Sequence, residues 1–125
     1  MSLKVLIVED NKINQLITKK ILEKNNFECH VVESGFDALE ILKEVAFDVI
    51  LMDINMPGMD GFEATVAIRQ QGFTMPIIAL TAFSKHEIEE EAFHSGINAI
   101  VIKPYQTNEL LGVIKSLIYN TKNAD

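Results

Sequence analysis

The sequence predicts a doubly wound α/β fold, a parallel sheet of five strands in the order 2-1-3-4-5 with a helix after each, and three observations support it. Short apolar runs alternate with segments of helical spacing along the chain. Four of the runs, Leu3 to Val8, Val49 to Met52, Ile77 to Leu80 and Ala99 to Ile102, are apolar apart from Lys4 near the start of the first, as strands covered on both faces are. A fifth run, Phe27 to Val32, is interrupted by Glu28 and His30, which suits an edge. Right-handed crossovers then set strand one beside strand three, and the winding reverses between them.

The elements follow in order. After the first strand, Ile13, Leu16, Ile17 and Ile21 repeat at helical intervals up to Asn25-Asn26. Beyond the edge strand, Ser34 with Asp37 three residues later opens a helix to Val45, with Ala38, Leu42 and Val45 turned inward. The third strand runs from Asp48 to Asp53 and meets a dense turn signal, Met56-Pro57-Gly58-Met59-Asp60-Gly61. A helix from about Gly61 to Gln70 follows, and Met75-Pro76 leads into the fourth strand. Ser84 and Glu87 form a capping box for a helix to about His94, stopped by Gly96. The last helix, about Thr107 to Asn120, buries Leu110, Leu111, Ile114, Leu117 and Ile118.

At 125 residues the chain reads as one domain, with a core of about 3–120 and residues 121–125 as a tail. A net charge of −7 argues against direct binding of nucleic acid or an anionic membrane. Met1-Ser2-Leu3-Lys4 runs straight into a strand, so neither a signal peptide nor a membrane span is expected. The single Cys29 leaves no internal disulfide and fits a reducing compartment. A cytoplasmic location is the default.

The strands deliver a coherent set of polar residues. Glu9-Asp10, Asp53, Thr81 and Lys103-Pro104 stand at the carboxyl ends of four of them, where open α/β sheets bind ligands. Neighbouring strands lie about 5 Å apart, and two carboxylates ~4 Å apart repel by about 4 kcal/mol at an effective dielectric near 20. Such a cluster takes up a proton, leans on Lys103 or recruits a cation. Oxygen donors without histidine or cysteine favour a hard ion, and Mg2+ fits best. With the ion between Asp10 and Asp53, an Asp53 oxygen can attack a phosphoryl group. Lys103, the Thr81 hydroxyl and the N–H of Ala82 can then receive its oxygens.

Four stretches at these strand ends resemble the receiver domains of two-component response regulators: Val8-Glu9-Asp10-Asn11, Leu51 to Gly61, Pro76 to Ala82, and Lys103-Pro104. The likeness covers essentially the whole chain and implies a flavodoxin-like (βα)5 fold. It implies that Asp53 is a phosphoacceptor served by a histidine of a sensor histidine kinase or histidine phosphotransfer protein. Asp10 would ligate Mg2+ directly, Glu9 through water, and Asn55 by its backbone carbonyl. The Asn55 side chain would face the water that hydrolyses the acyl phosphate. Pro104 would follow a cis peptide bond. The implied activity is a signalling switch, with no catalysis beyond its own phosphoryl transfer and slow autodephosphorylation. The downstream effector or attached domain stays unnamed.

The chain departs from that family where an aromatic residue often precedes the lysine by three positions, because Ile100 stands there. An aromatic swing is therefore impossible at this position. Asp10-Asn11, Asn14 and the Met56 to Gly61 turn look more like receivers of hybrid sensor kinases or phosphorelays. Three other functions fit the residues less well. A haloacid-dehalogenase-type phosphatase needs an acid two residues after Asp53, where Asn55 cannot exchange a proton. A flavin-binding module needs a phosphate loop after strand one, where Glu9-Asp10 would repel the anion. A receiver-like interaction module that is never phosphorylated would leave a complete acceptor site unused.

Overall fold

The computed structural model describes residues 3–123, with side chains as far as Tyr119. In chain order the elements are β1 (Leu3–Val8), α1 (Lys12–Lys24), β2 (Phe27–Val32), α2 (Gly35–Leu42), β3 (Val49–Asp53), α3 (Gly61–Gln70), β4 (Ile77–Thr81), α4 (Lys85–Ser95), β5 (Ala99–Ile102) and α5 (Thr107–Asn123). All strand pairs are parallel, in the order β2-β1-β3-β4-β5. The predicted flavodoxin-like doubly wound sheet is the observed fold.

Strand periodicity sorts the core into two layers. Val5, Ile7, Val49, Leu51, Ile78, Leu80 and Val101 face α1 and α5, meeting Leu22, Leu110, Leu111 and Ile114. Their neighbours Leu6, Val8, Ile50, Met52, Ile77 and Ala79 face α2, α3 and α4, meeting Ala38, Leu42, Ala64, Ile68 and Ala92. Each fully buried aliphatic side chain contributes about 1.5–3 kcal/mol of transfer free energy, so β1, β3 and β4 carry the sheet. At the β2 edge, Lys4 pairs with Glu28 and His30 hydrogen-bonds the same carboxylate, polar groups that discourage pairing with another strand.

Two helix ends and one buried face differ from the sequence reading. Helix α2 stops at Leu42 rather than Val45, because Lys43 and Glu44 direct their N–H to the carbonyls three residues back, Glu40 O at 3.2 Å and Ile41 O at 3.0 Å, a tightened last turn before buried Phe47. Helix α5 continues to Asn123, so the expected tail is helical as far as it is described, and residues 124–125 lie outside the described residues. On α1 the apolar repeat points outward: Ile13, Leu16 and Ile17 are exposed while Thr18 and Leu22 are buried.

The loops that frame the sheet's carboxyl end are tightly set. Asp60 and Glu63 cap α3 reciprocally, and Gly61 N donates to Ile54 O at 3.0 Å. A Cβ on Gly61 would meet Asp53 O at 2.6 Å, so this helix start can approach the strand end only as glycine. Gly96 ends α4 with a φ of 103°, a left-handed cap of the kind the sequence signals. Among the described residues, no helix is long and apolar enough to cross a membrane.

Candidate functional site

Register and periodicity together assemble the site. β1 pairs with β3 so that Val8 lies opposite Met52, which puts the next residues, Glu9 and Asp53, at one level. Both continue the row of Val5 and Ile7 or Val49 and Leu51 that faces α1 and α5, and so does Lys103, two residues beyond Val101. Glu9, Asp10 and Asp53 each offer a carboxylate oxygen, all within 4.8 Å of one another. Lys103 Nζ reaches Glu9 Oε1 at 3.2 Å and Asp53 Oδ1 at 3.5 Å. The cleft they share, about 370 Å3, is also lined by Asn11, Asn14, Asn55 and Ala82.

Burial sharpens the electrostatics. Glu9 and Asp53 are 2% and 4% exposed, and Asp10 opens to solvent. Desolvation pushes the Asp53 carboxyl up to about 7, the adjoining Glu9 carboxylate adds to the rise, and Lys103 and the Asn55 N–H oppose it. The Asn55 N–H donates to Asp53 Oδ1 at 3.2 Å. Near neutral pH the buried pair therefore tends to hold a proton that a cation would displace.

Glu9 is held from several directions. Its N–H donates to Val32 O at 3.1 Å, its Oε2 accepts from Asn11 N at 3.1 Å, and its carbonyl accepts from Gln15 Nε2 at 2.6 Å. No signal in the sequence reveals Gln15, a polar residue on an amphipathic helix. The N-cap Asn11 carries both that bond and its own cap, its side chain accepting from Asn14 N at 2.9 Å.

The other expected residues divide. Ala82 and Asn55 line the cleft. Thr81 closes β4 one step beyond the level of Asp53, since Asp53 lies opposite Leu80, and it shares the row of Ile77 and Ala79 that faces the other layer. It is fully buried, and its Oγ1 accepts from Phe83 N at 3.0 Å. It stands behind the cleft wall instead of in it. The peptide bond between Lys103 and Pro104 is cis. Ile100 packs partly buried against the α2–α3–α4 layer.

Comparison with known proteins agrees with this geometry. Residues 5–115 match the response regulator receiver domain family. The sensor histidine kinase RcsC of Salmonella typhi is 35% identical over 106 residues, covering 85% of this chain and 11% of that protein. The chain thus spans about a tenth of the length of such relatives. The chemotaxis protein CheY4 of Vibrio cholerae superposes with a TM-score of 0.89 at 30% identity, covering 94% of this chain and 99% of that one. The receiver domain of the sensor histidine kinase PA1611 from Pseudomonas aeruginosa PAO1 gives 0.87 at 32% identity, covering 95% and 99%. That crystal structure has a magnesium ion coordinated in its active-site cleft.

Proposed function

The chain belongs to the response regulator receiver domains, and from that membership we propose that it is a phosphorylation-dependent switch in which Asp53 accepts a phosphoryl group from a histidine of a sensor kinase or phosphotransfer protein. The observation that carries the reading is the convergence of Glu9, Asp10 and Asp53 within 4.8 Å beside a single ammonium, that of Lys103.

The donor set suits a hard cation: three carboxylates, no histidine or cysteine among them, and one acid open to solvent where coordinated waters can remain. Asp10, Asp53 and the Asn55 carbonyl would hold Mg2+ directly, with Glu9 acting through water. Once bound, the ion cancels repulsion among the acids and draws charge from phosphoryl oxygens.

The remaining work falls to the chain's own groups. An Asp53 carboxylate oxygen forms a bond to phosphorus as the donor's P–N bond breaks, and the imidazole keeps that electron pair. Lys103 begins on Glu9 and Asp53, so its ammonium already stands where negative charge accumulates. Ala82 borders the cleft and can offer its N–H. The Thr81 hydroxyl is engaged in a turn with Phe83 N, so drawing it toward a phosphoryl oxygen pulls on residues 81 to 83. With Ile100 on β5, that pull is transmitted by packing rather than by an aromatic swing. Ile13, Leu16 and Ile17 are exposed on α1, Ile17 in a cleft it shares with Glu9 and Lys103, and would give a histidine-bearing partner an apolar landing.

Incubation with Mg2+ and acetyl phosphate, followed by intact-mass measurement, tests the reading. The wild type should carry one phosphoryl adduct, absent in Asp53→Asn and in the presence of a chelator. Rapid hydrolysis of unrelated phosphate esters would instead favour a phosphatase. No adduct with any donor would leave an interaction module.

A further inference from the structure

We propose that Tyr105, through its hydrogen bond to Thr18, is a positioning residue for Lys103, an inference that rests on the phosphoacceptor reading of Asp53. Upstream, the Lys103 backbone is fixed by its own N–H, which donates to Thr81 O at 2.7 Å. Downstream, Pro104 has no N–H and is exposed, so the next attachment available is Tyr105. Its hydroxyl shares a 2.7 Å hydrogen bond with Thr18 Oγ1, across 87 positions of sequence.

Thr18 lies on the inward face of α1 and is 4% exposed. The same helix holds the carboxylate that Lys103 meets, because Gln15 bonds the Glu9 carbonyl and Asn11 bonds Glu9 Oε2. One helix therefore frames both halves of the Lys103–Glu9 ion pair. The Tyr105 ring packs against the core layer that includes Leu22 of α1, but a cleft of about 380 Å3, bordered by Thr18, Ile21, Lys103 and Tyr105, leaves α1 and the loop incompletely packed. The hydroxyl bridge is the polar tie across that gap. A displacement of about 1 Å at a phosphoryl-binding ammonium is enough to slow group transfer markedly.

The test measures initial phosphorylation rates at varied acetyl phosphate, with magnesium affinity measured separately. Tyr105→Phe keeps the ring and should lower the maximal rate about fivefold, the order of one net hydrogen bond. The half-saturating donor concentration and the magnesium dissociation constant should stay unchanged. Thr18→Val should match it, the double variant should be no worse than either single one, and Thr18→Ser should recover the rate. In a Lys103→Ala background, Tyr105→Phe should have no further effect. An equal loss in that background, a parallel weakening of magnesium binding, or an unchanged rate would overturn the inference. A wild-type chain that takes up no phosphoryl group defeats the phosphoacceptor reading and this one together, whereas a normal wild-type adduct with an unaffected Tyr105→Phe defeats this one alone.

Discussion

At the carboxyl end of the sheet three carboxylates cluster beside the Lys103 ammonium, which pairs with two of them, while at the amino end one guanidinium serves four acceptors. Arg69, on α3, donates to Gly96 O at 3.1 and 2.9 Å, Phe73 O at 3.1 Å, Met75 O at 2.7 Å and Asn98 Oδ1 at 2.8 Å. Asn98 Oδ1 also accepts from Ile77 N at 2.9 Å, which ties the entrances of β4 and β5 to α3. Burial lowers the Arg69 pKa, but its bonds go to three backbone carbonyls and one side-chain amide oxygen, which offset the cost of desolvating the guanidinium. One end of the fold is electrostatically satisfied and the other is in excess negative charge. Excess charge is what a cation and a phosphoryl group can use, and the satisfied end supplies the stability that allows it.

Removing the satisfied end should have the largest effect. Arg69→Ala removes the donor from three backbone carbonyls at about 1 kcal/mol each, so unfolding in urea should show a loss of about 3 kcal/mol with magnesium affinity retained. A loss below about 1 kcal/mol would break the contrast.

The pH profile of stability probes the other end. Folded Asp53 has its carboxyl pushed up to about 7 from an ordinary 3.8, so between those values the folded chain binds more protons than the unfolded one. Its contribution is therefore complete below about pH 4 and is lost as pH rises toward 7. Urea midpoints in the presence of a chelator should fall across that window. Millimolar Mg2+ should flatten the decline, as should Asp53→Asn. A metal-free profile that rises instead would show that the acids are already compensated.

The smallest effect sharpens where the two ends meet. Gly61→Ala places a Cβ against Asp53 O and Ile54 Cα and should cost about 2 kcal/mol by overpacking. It should also slow phosphorylation of Asp53. Unchanged rates alongside lowered stability would mean that the strand end tolerates movement of α3.

The acidic end was legible in sequence and the basic clasp was not, for identifiable reasons. Buried parallel strands are apolar throughout, so β1, β3, β4 and β5 announce themselves, and the polar residue that ends each is conspicuous. Glu9, Asp53 and Lys103 then converge because they share a row. Thr81 belongs to the opposite row, which depends on pairing register and cannot be read from a single strand. Arg69 looks like any solvated arginine on a helix, since its acceptors are backbone carbonyls that no side-chain pattern encodes. Helical spacing located α1 but not its buried face, which holds Leu22 and the more polar Thr18 while Ile13 and Leu16 are exposed. The bond from Thr18 to Tyr105 spans too much chain for any local pattern to reveal it.

The grip of Arg69 on Gly96 has a mechanical consequence for α4. That helix is fastened at its far tip, while its near tip begins directly after the turn formed by Thr81 and Phe83. A rod pinned at one extremity pivots there. Small tugs on the near side become a sweep, greatest at Lys85 and vanishing at the fulcrum about 16 Å away.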